Sequence, residues 1–397
     1  MRVSCATLRY RCTKYAYQLC FLLLATVVLI FTTTQWTPPQ GVPPTIQPLR
    51  AIPSEAQSHP KGATELKILI WNVGKRMQRR FLRSFGATEK DPFEHCPVRN
   101  CKLEVDNSKI GEAAAVMFHL HLTEGPHTLP TYHNPDQYWI FFTDESPLHT
   151  FLLTKKYKMR DYNGIFNLSM TYRSDSDIAV PYGRTVRLSR EEEAAGGRLR
   201  NFATNKTGLV AILGSNCGGT NRRWNYVHEL ENHIQVDIYG GCGKKVCPGH
   251  FTKDCGVMGN YKFYLAFENS NCREYITEKL WWNAYAKDVV PVVMGGSKSD
   301  YEKLCPPKSF IHVEDFQRPS DLAVYLKALD ADDVAYNAFF QWKKKYKVLN
   351  EHGYFGSPSL HLCRICQRLN DPNRLVKVYS DLESFWNAKT DCRKPAW

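Results

Sequence analysis

The sequence predicts an α/β protein: two doubly wound units, each a mainly parallel sheet with helices on both faces, following an N-terminal membrane anchor. Three observations carry that prediction. Near-continuous apolar strands alternate with helix-like stretches from about residue 65 onward, the pattern of sheets buried on both faces. The chain has 397 residues, 43% hydrophobic and 13% aromatic, which provides core for two domains and excludes wholesale disorder. The first 64 residues fit neither domain, being a basic tail, an apolar run and a proline-rich stretch.

In chain order, residues 1–15 carry Arg2, Arg9, Arg11 and Lys14 and no acid, and read as a cytosolic tail. The anchor is placed at 16–34, where an uncharged run densest over Cys20–Phe31 reaches the roughly 20 residues that span a bilayer. With basic residues only on its N-terminal side, the remainder of the chain is expected in the lumen. A cleaved signal peptide is the competing reading, although Thr32-Thr-Thr-Gln-Trp36 is a poor cleavage site. Residues 35–64 hold Pro38, Pro39, Pro43, Pro44, Pro48, Pro53 and Pro60 without apolar periodicity, and read as an extended stem. This is the layout of a single-pass type II Golgi enzyme, shared with any single-pass surface protein.

Of the 14 cysteines, Cys5, Cys12 and Cys20 lie in the tail and span, which leaves an odd number for the oxidising lumen. There Cys363-Arg-Ile-Cys366 reads as a disulfide element rather than a zinc or redox motif, closing onto the similarly close Cys96 and Cys101. Asn167-Leu-Ser169 and Asn205-Lys-Thr207 are glycosylation sequons. The charge balance, 52 Lys+Arg against 39 Asp+Glu for a net +13, favours anionic partners. A lumenal location excludes nucleic acid from that class.

Strands are predicted over Leu66–Trp71, Ala115–Leu120, Tyr138–Phe142, Leu209–Leu213, Val236–Tyr239, Lys262–Phe267, Val289–Val293 and Phe310–Val313. Helices are predicted over Asn221–His233, Arg273–Ala286 and Pro319–Ala328. The charged stretch Ser189–Thr207 is the natural seam, dividing the lumenal part into 65–205, 206–350 and a C-terminal extension 351–397 with the Cys-x-x-Cys.

Ligands of open α/β sheets gather at the carboxyl ends of strands, and four polar segments sit there. Gly214-Ser-Asn-Cys-Gly-Gly-Thr-Asn-Arg-Arg223 leads from a strand into a helix, where Arg222 or Arg223 could hold a diphosphate. Glu268-Asn269-Ser270 ends a buried strand, its carboxylate suited to ribose or sugar hydroxyls, and Thr277-Glu278-Lys279 opens the next helix with a lysine for a departing phosphate. After Trp139-Ile-Phe-Phe-Thr143, Asp144 or Glu145 stands where a general base would. Asp175-Ser-Asp177 has acid-x-acid spacing that can hold a divalent cation, the lesser reading beside Arg223 and Lys279.

The phrases Tyr261-Lys-Phe-Tyr-Leu-Ala-Phe-Glu-Asn-Ser270, Tyr275-Ile-Thr-Glu-Lys279 and Val290-Pro-Val-Val-Met-Gly295 closely resemble the donor-binding signature of the Golgi α1,3-fucosyltransferases, glycosyltransferase family 10. Glu145-Ser-Pro147, Tyr172-Arg-Ser-Asp-Ser-Asp-Ile178 and Val180-Pro-Tyr-Gly183 match other family blocks in order. The resemblance covers roughly residues 138–370 and is weak over 65–137. It implies two facing Rossmann-like domains of the GT-B type, with the acceptor on the N-terminal one and GDP-fucose on the C-terminal one. It further implies inverting transfer, with Glu145 as general base and Arg223, Asn269, Glu278, Lys279, Glu268 and Tyr182 as donor contacts. No cofactor is implied as obligatory, although Mn2+ or Mg2+ can stimulate.

Ser215-Asn-Cys-Gly218, Val236-Asp-Ile-Tyr-Gly-Gly-Cys-Gly243, Asn269-Ser-Asn-Cys272 and Thr390-Asp-Cys-Arg393 resemble the branch that fucosylates the innermost GlcNAc of N-glycans. Gly219-Thr220 departs from the Ala-Arg more usual there. Three rivals stay open: a Lewis-type enzyme acting on N-acetyllactosamine, fucosylation of protein hydroxyls, and a lumenal glycan-binding protein without turnover, against which intact Glu145, Arg223, Glu278 and Lys279 argue.

Overall fold

The computed structural model describes residues 65–83, 91–131, 134–197, 199–247, 254–353, 359–373 and 377–395. The tail, anchor and stem expected over 1–64 lie outside them. Among the described residues no helix is long and apolar enough to cross a membrane.

Two parallel sheets organise the chain. The first runs in the order β2 (Cys101–Glu104), β1 (Leu66–Ile70), β3 (Ala115–His119), β4 (Tyr138–Thr143), β5 (Leu168–Thr171) and β6 (Ile178–Ala179). The second runs β12 (Ile311–His312), β11 (Val290–Met294), β10 (Tyr261–Phe267), β8 (Gly208–Leu213) and β9 (Val236–Tyr239). An antiparallel ribbon of β7 (Gly183–Arg187) and β13 (Tyr346–Asn350) stands apart from both. In the second sheet the winding reverses between β8 and β10, which opens a crevice at their carboxyl ends.

Strand alternation explains how these sheets are covered. In β1, Ile68 and Ile70 face one core and Leu69 the other, and in β10 Phe263, Leu265 and Phe267 oppose Tyr264 and Ala266. The inner faces of both sheets share one cluster that also holds Tyr172, Tyr182, Trp281 and Trp386, so the two halves are joined by continuous packing. The outer face of the second sheet is covered by the helices Arg223–Glu231 and Pro319–Ala331 through Val227, Leu230, Leu322 and Leu326. The outer face of the first is covered partly from the far end of the chain, by Leu362 and Ile365 of the helix His361–Leu369.

The strands predicted from apolar runs are all present, with ends displaced by no more than a residue. Those not predicted, β2, β5, β6, β7 and β13, are short or polar. Gly-Arg-Thr-Val-Arg and Tyr-Lys-Val-Leu-Asn carry no apolar run because the ribbon they form is only half-buried. The helix expected over Arg273–Ala286 is reduced to Glu278–Trp281 and a 3₁₀ turn at Tyr285–Lys287. Glu274 breaks it: its backbone is left-handed at φ 55°, and its carboxylate accepts from the Ser174 amide at 2.6 Å and from Lys303. Such a conformation is unfavourable for a residue with a Cβ and is held here by those contacts.

Cysteine pairing fastens the same long-range contacts. Cys96 joins Cys363 and Cys101 joins Cys366, which ties the edge of the first sheet to the helix His361–Leu369. Cys217–Cys242, Cys247–Cys255 and Cys272–Cys392 complete the set, and Cys305 is free and buried. Closing one loop of 267 residues removes denatured-state entropy worth about 5.6 kcal/mol in the chain-entropy account, and the second bridge, beside the first, adds less.

Candidate active site

The exits of β4, β8 and β10 meet at one cleft, lined by Glu145, by Leu213–Asn216 and Arg223, by Asn269, and by Tyr182, Tyr275, Thr277, Glu278 and Lys279. The exit of β8 is laced onto that of β10. Thr220 donates its amide to the Asn269 carbonyl at 2.8 Å, and Asn221 Nδ2 donates to the Glu268 carbonyl at 2.9 Å. Gly219 has φ 143°, and a Cβ there would stand 3.0 Å from the Asn269 carbonyl oxygen, so a larger residue has neither the conformation nor the room. Cys217–Cys242 pins the far side of this loop.

Arg223 opens the following helix and is 5% exposed. Its guanidinium donates to the carbonyls of Gly218 at 3.2 Å, Phe267 at 2.9 Å and Asn216 at 2.6 Å. Two of its five N–H groups therefore hold the glycine loop and one the end of β10, and two are left for a ligand. Burial lowers its pKa, against the opposing pull of Glu268.

Lys279 sits among three oxygens: Glu268 Oε2 at 3.0 Å, Thr277 Oγ1 at 2.8 Å and Glu278 Oε1 at 3.4 Å. Burial works against its charge, and the two carboxylates more than offset it, so its pKa is raised. Glu278 is the converse: burial favours its neutral form, but Lys279 and the residue's own amide hold the carboxyl below its usual range. Glu268 is fully buried, with oxygens accepting from the Thr277 amide at 2.7 Å and from its hydroxyl. Burial raises its pKa even beside Lys279. This corrects one expectation, because Glu268 lies beneath the cleft, bound to Thr277 and Lys279, and offers no oxygen to a sugar.

Opposite stands Glu145. Its Oε2 accepts from Tyr275 Oη at 2.9 Å and from Asn269 Nδ2 at 3.3 Å, both from the second sheet's side. Burial, then the Glu145 charge, push the Tyr275 hydroxyl well above the ordinary tyrosine range, so it remains a donor. Asp144, the alternative base, is 6% exposed and turned inward between His119 and His352, each with Nε2 at 3.2 Å. Tyr182 lines the cleft with its hydroxyl donating to the Asp144 carbonyl at 2.8 Å.

The surroundings of two other sequence features decide what they can bind. Asn167 is buried, accepts the Trp139 amide, and donates Nδ2 to the Lys377 carbonyl at 3.0 Å, so the folded chain has no free amide for a glycan there. Asn205 is exposed on a left-handed turn. The acid-x-acid pair is consumed by cations and hydroxyls. Asp175 binds Arg173 and Arg273, and Asp177 binds Lys377, Ser169 and Tyr379. Among the described residues no His, Cys, Asp and Glu cluster is arranged to hold a metal ion.

Sequence reasoning did not single out Tyr275, Thr277, Asn283 or the pair Ser146 and Ser270, whose hydroxyls meet at 2.7 Å. Tyr275 and Thr277 were within reach, inside a motif already quoted. His352 carried no signal, a lone histidine 208 residues from the aspartate it touches.

Comparison with known proteins gives two family models that together cover most of the chain. "Fucosyltransferase, N-terminal" matches residues 63–183, and "Glycosyltransferase family 10 (fucosyltransferase) C-term" matches residues 203–386. The match thus extends well before residue 138, over the region where motif resemblance is weak. Among relatives, glycoprotein 3-alpha-L-fucosyltransferase A of Drosophila melanogaster is 36% identical over 82% of this chain, which spans 60% of that protein. The 3-galactosyl-N-acetylglucosaminide 4-alpha-L-fucosyltransferase FUT3 of Bos taurus is 36% identical over 90% of this chain and 92% of its own length. The 4-galactosyl-N-acetylglucosaminide 3-alpha-L-fucosyltransferase FUT6 of Homo sapiens is 38% identical over 69% and 72%. A crystal structure of an α1,3-fucosyltransferase with GDP-fucose aligns at 16% identity and a TM-score of 0.49, over 82% of this chain and 96% of that one.

Proposed function

The chain belongs to glycosyltransferase family 10, the fucosyltransferases, and from that premise we propose that it is an inverting α1,3-fucosyltransferase moving fucose from GDP-β-L-fucose to the innermost GlcNAc of N-glycan cores. The observation that supports this reading is the single cleft in which Glu145, from the first sheet, faces Arg223, Asn269, Glu278 and Lys279, from the second.

In this mechanism Glu145 takes the proton from the acceptor hydroxyl as its oxygen bonds to the sugar's anomeric carbon. The bond from that carbon to the diphosphate breaks on the opposite face, and its electron pair leaves with GDP. The charge arriving on the phosphate is met by the two remaining N–H groups of Arg223 and by Lys279. Lys279 is freed most easily from its longest contact, the 3.4 Å one to Glu278. Because fixed cations do this work, a divalent ion is a stimulant and not a requirement, and chelation leaves transfer standing. The enzyme is proposed to reside in the Golgi membrane, anchored through 16–34 with the cleft in the lumen.

A second reading, transfer to N-acetyllactosamine, is favoured by the relative whose name carries a 4-galactosyl-N-acetylglucosaminide acceptor. The full chain, extracted in detergent and given GDP-fucose with a GlcNAc-terminated trimannosyl glycopeptide and N-acetyllactosamine in one tube, separates the two by mass spectrometry. Fucose on the innermost GlcNAc is expected. Fucose on lactosamine alone would transfer the protein to the second reading, and fucose on neither would remove both.

A further inference from the structure

Behind Glu145 lies a buried group that the reaction above does not use. Asp144 ends the β4 strand, with both carboxylate oxygens turned into the protein and each met by an imidazole. His119 Nε2, from the end of β3, is 3.2 Å from Oδ1, and His352 Nε2, just past β13, is 3.2 Å from Oδ2. With Asp144 ionised, both rings donate from Nε2. The three residues are 4%, 6% and 2% exposed for His119, Asp144 and His352. Two imidazoles fix the plane of the carboxylate, and Tyr182 Oη fixes the carbonyl of the same residue. The peptide that leads into Glu145 is therefore held on both sides.

His352 differs from His119 in its origin. His119 belongs to the same sheet as Asp144, whereas His352 comes from the stretch between β13 and the helix His361–Leu369. Its start is itself held: the neighbouring Glu351 donates its amide to the Tyr182 carbonyl at 2.9 Å and pairs with Arg184 and Arg364. The His352 ring stacks on Tyr182 with centroids 3.7 Å apart and planes 16° apart. One side chain thus supports Tyr182 on the wall of the cleft and Asp144 beneath Glu145.

We propose that His352 is a positioning residue for transfer: by holding Asp144 and Tyr182, the C-terminal segment sets the orientation of Glu145 towards the acceptor. The proposal rests on Glu145 being the base. A reacting group displaced by a fraction of an ångström loses rate without losing ligand affinity, which gives the proposal a signature distinct from general loosening.

The test compares the full chain with the variants Glu145→Gln, His352→Phe, His352→Gln and Asp144→Asn, reading kcat with both substrates saturating, acceptor KM, GDP affinity and melting temperature. His352→Phe keeps a ring for Tyr182 and removes the donor to Asp144. It is expected to lower kcat about 10–100-fold with GDP affinity within about twofold. His352→Gln, which can present an Nε2–H to the same oxygen, is expected to recover most of that loss. Wild-type kcat in His352→Phe, or equal losses in the Phe and Gln variants, would overturn the proposal. If the Phe variant does not fold, Asp144→Asn decides. Its amide cannot accept from both rings as the carboxylate does, and kcat must fall with GDP affinity kept; an unchanged kcat overturns the proposal. Transfer surviving in Glu145→Gln would instead remove the assignment of the base, a failure separate from that of His352.

Discussion

The exits of β4 and β10 are built on one plan and braced in different ways. Each is a triplet, Asp144-Glu145-Ser146 and Glu268-Asn269-Ser270, whose first carboxylate is buried and whose second residue faces the cleft. The triplets touch in register, Asn269 to Glu145 at 3.3 Å and Ser270 to Ser146 at 2.7 Å. Strand alternation accounts for the plan, since successive side chains leave a strand on opposite sides. The bracing differs in reach. Glu268 is held by Thr277 and Lys279, nearby along the chain, whereas Asp144 is held by His119 of its own sheet and by His352, 208 residues away. The buried carboxylate of the β10 exit is therefore braced from nearby in the chain, and that of the β4 exit partly from its far end.

The largest effect is expected where the plan places chemistry. Glu145→Gln keeps the hydrogen-bonding shape and removes the base, and transfer should fall by about 10²–10⁴-fold with GDP affinity unchanged. Steady-state kinetics beside a GDP titration checks this. An equal result from the matching position, Asn269→Asp, would mean that the two exits are not divided into acceptor and donor roles.

Lys279→Met tests the local brace. It leaves Glu268 buried without its cation, at a cost of about 3 kcal/mol, the low end for a broken buried pair because Thr277 still donates. Urea denaturation measures the loss. Adding Glu268→Gln should restore much of it, since Glu268 is then neutral; if it does not, the loss lies with Glu278, which also gives up its cation, or with packing.

The same contrast explains what could be read in advance. Apart from Arg223 and its loop, the residues proposed to meet the donor lie in the phrases 261–270 and 275–279, because contacts within a strand, its turn and the next helix are close in sequence. Strand positions were legible for the same reason: apolar runs mark sheets covered on both faces. The reading of Glu268 as a sugar contact failed because its neighbours compete for its oxygens, and a motif does not state which carboxylate is saturated. The helix expected over 273–286 failed through Glu274, whose left-handed backbone is held by Ser174 and Lys303 from elsewhere. His352 was invisible on any local criterion, and so was the burial of Asn167, whose Nδ2 is taken by the Lys377 carbonyl.

The contact between the triplets can be tested by itself. Ser270→Ala removes the hydroxyl bridge to Ser146 and should cost about 1 kcal/mol of stability, the usual net value of one hydrogen bond. If the bridge joins the exits, Ser146→Ala in the same chain should add only the loss of its 3.2 Å contact with His149. Full additivity would show that each serine acts separately, and the register of the two triplets would then be a consequence of packing alone.

The smallest expected effect concerns acid. Only the β4 exit carries a histidine beside its serine: His149 Nδ1 lies 3.2 Å from Ser146 Oγ. Burial lowers its pKa, with the Glu145 charge opposing. The folded protein therefore favours the neutral ring. The unfolded chain takes up its proton first as pH falls below about 6.5, and the stability contributed by the neutral ring is lost from there downward. Above that pH the contribution is fully present. His312 is buried with its pKa lowered in the same direction, so His149 is not the sole source of the acid loss in wild type. His149→Asn, which cannot titrate, should flatten part of the fall in melting temperature between about pH 7 and 5 and leave the part due to His312. If the slope is unchanged, the β4 exit tolerates a charged imidazole, and the two exits would be alike in acid despite their different bracing.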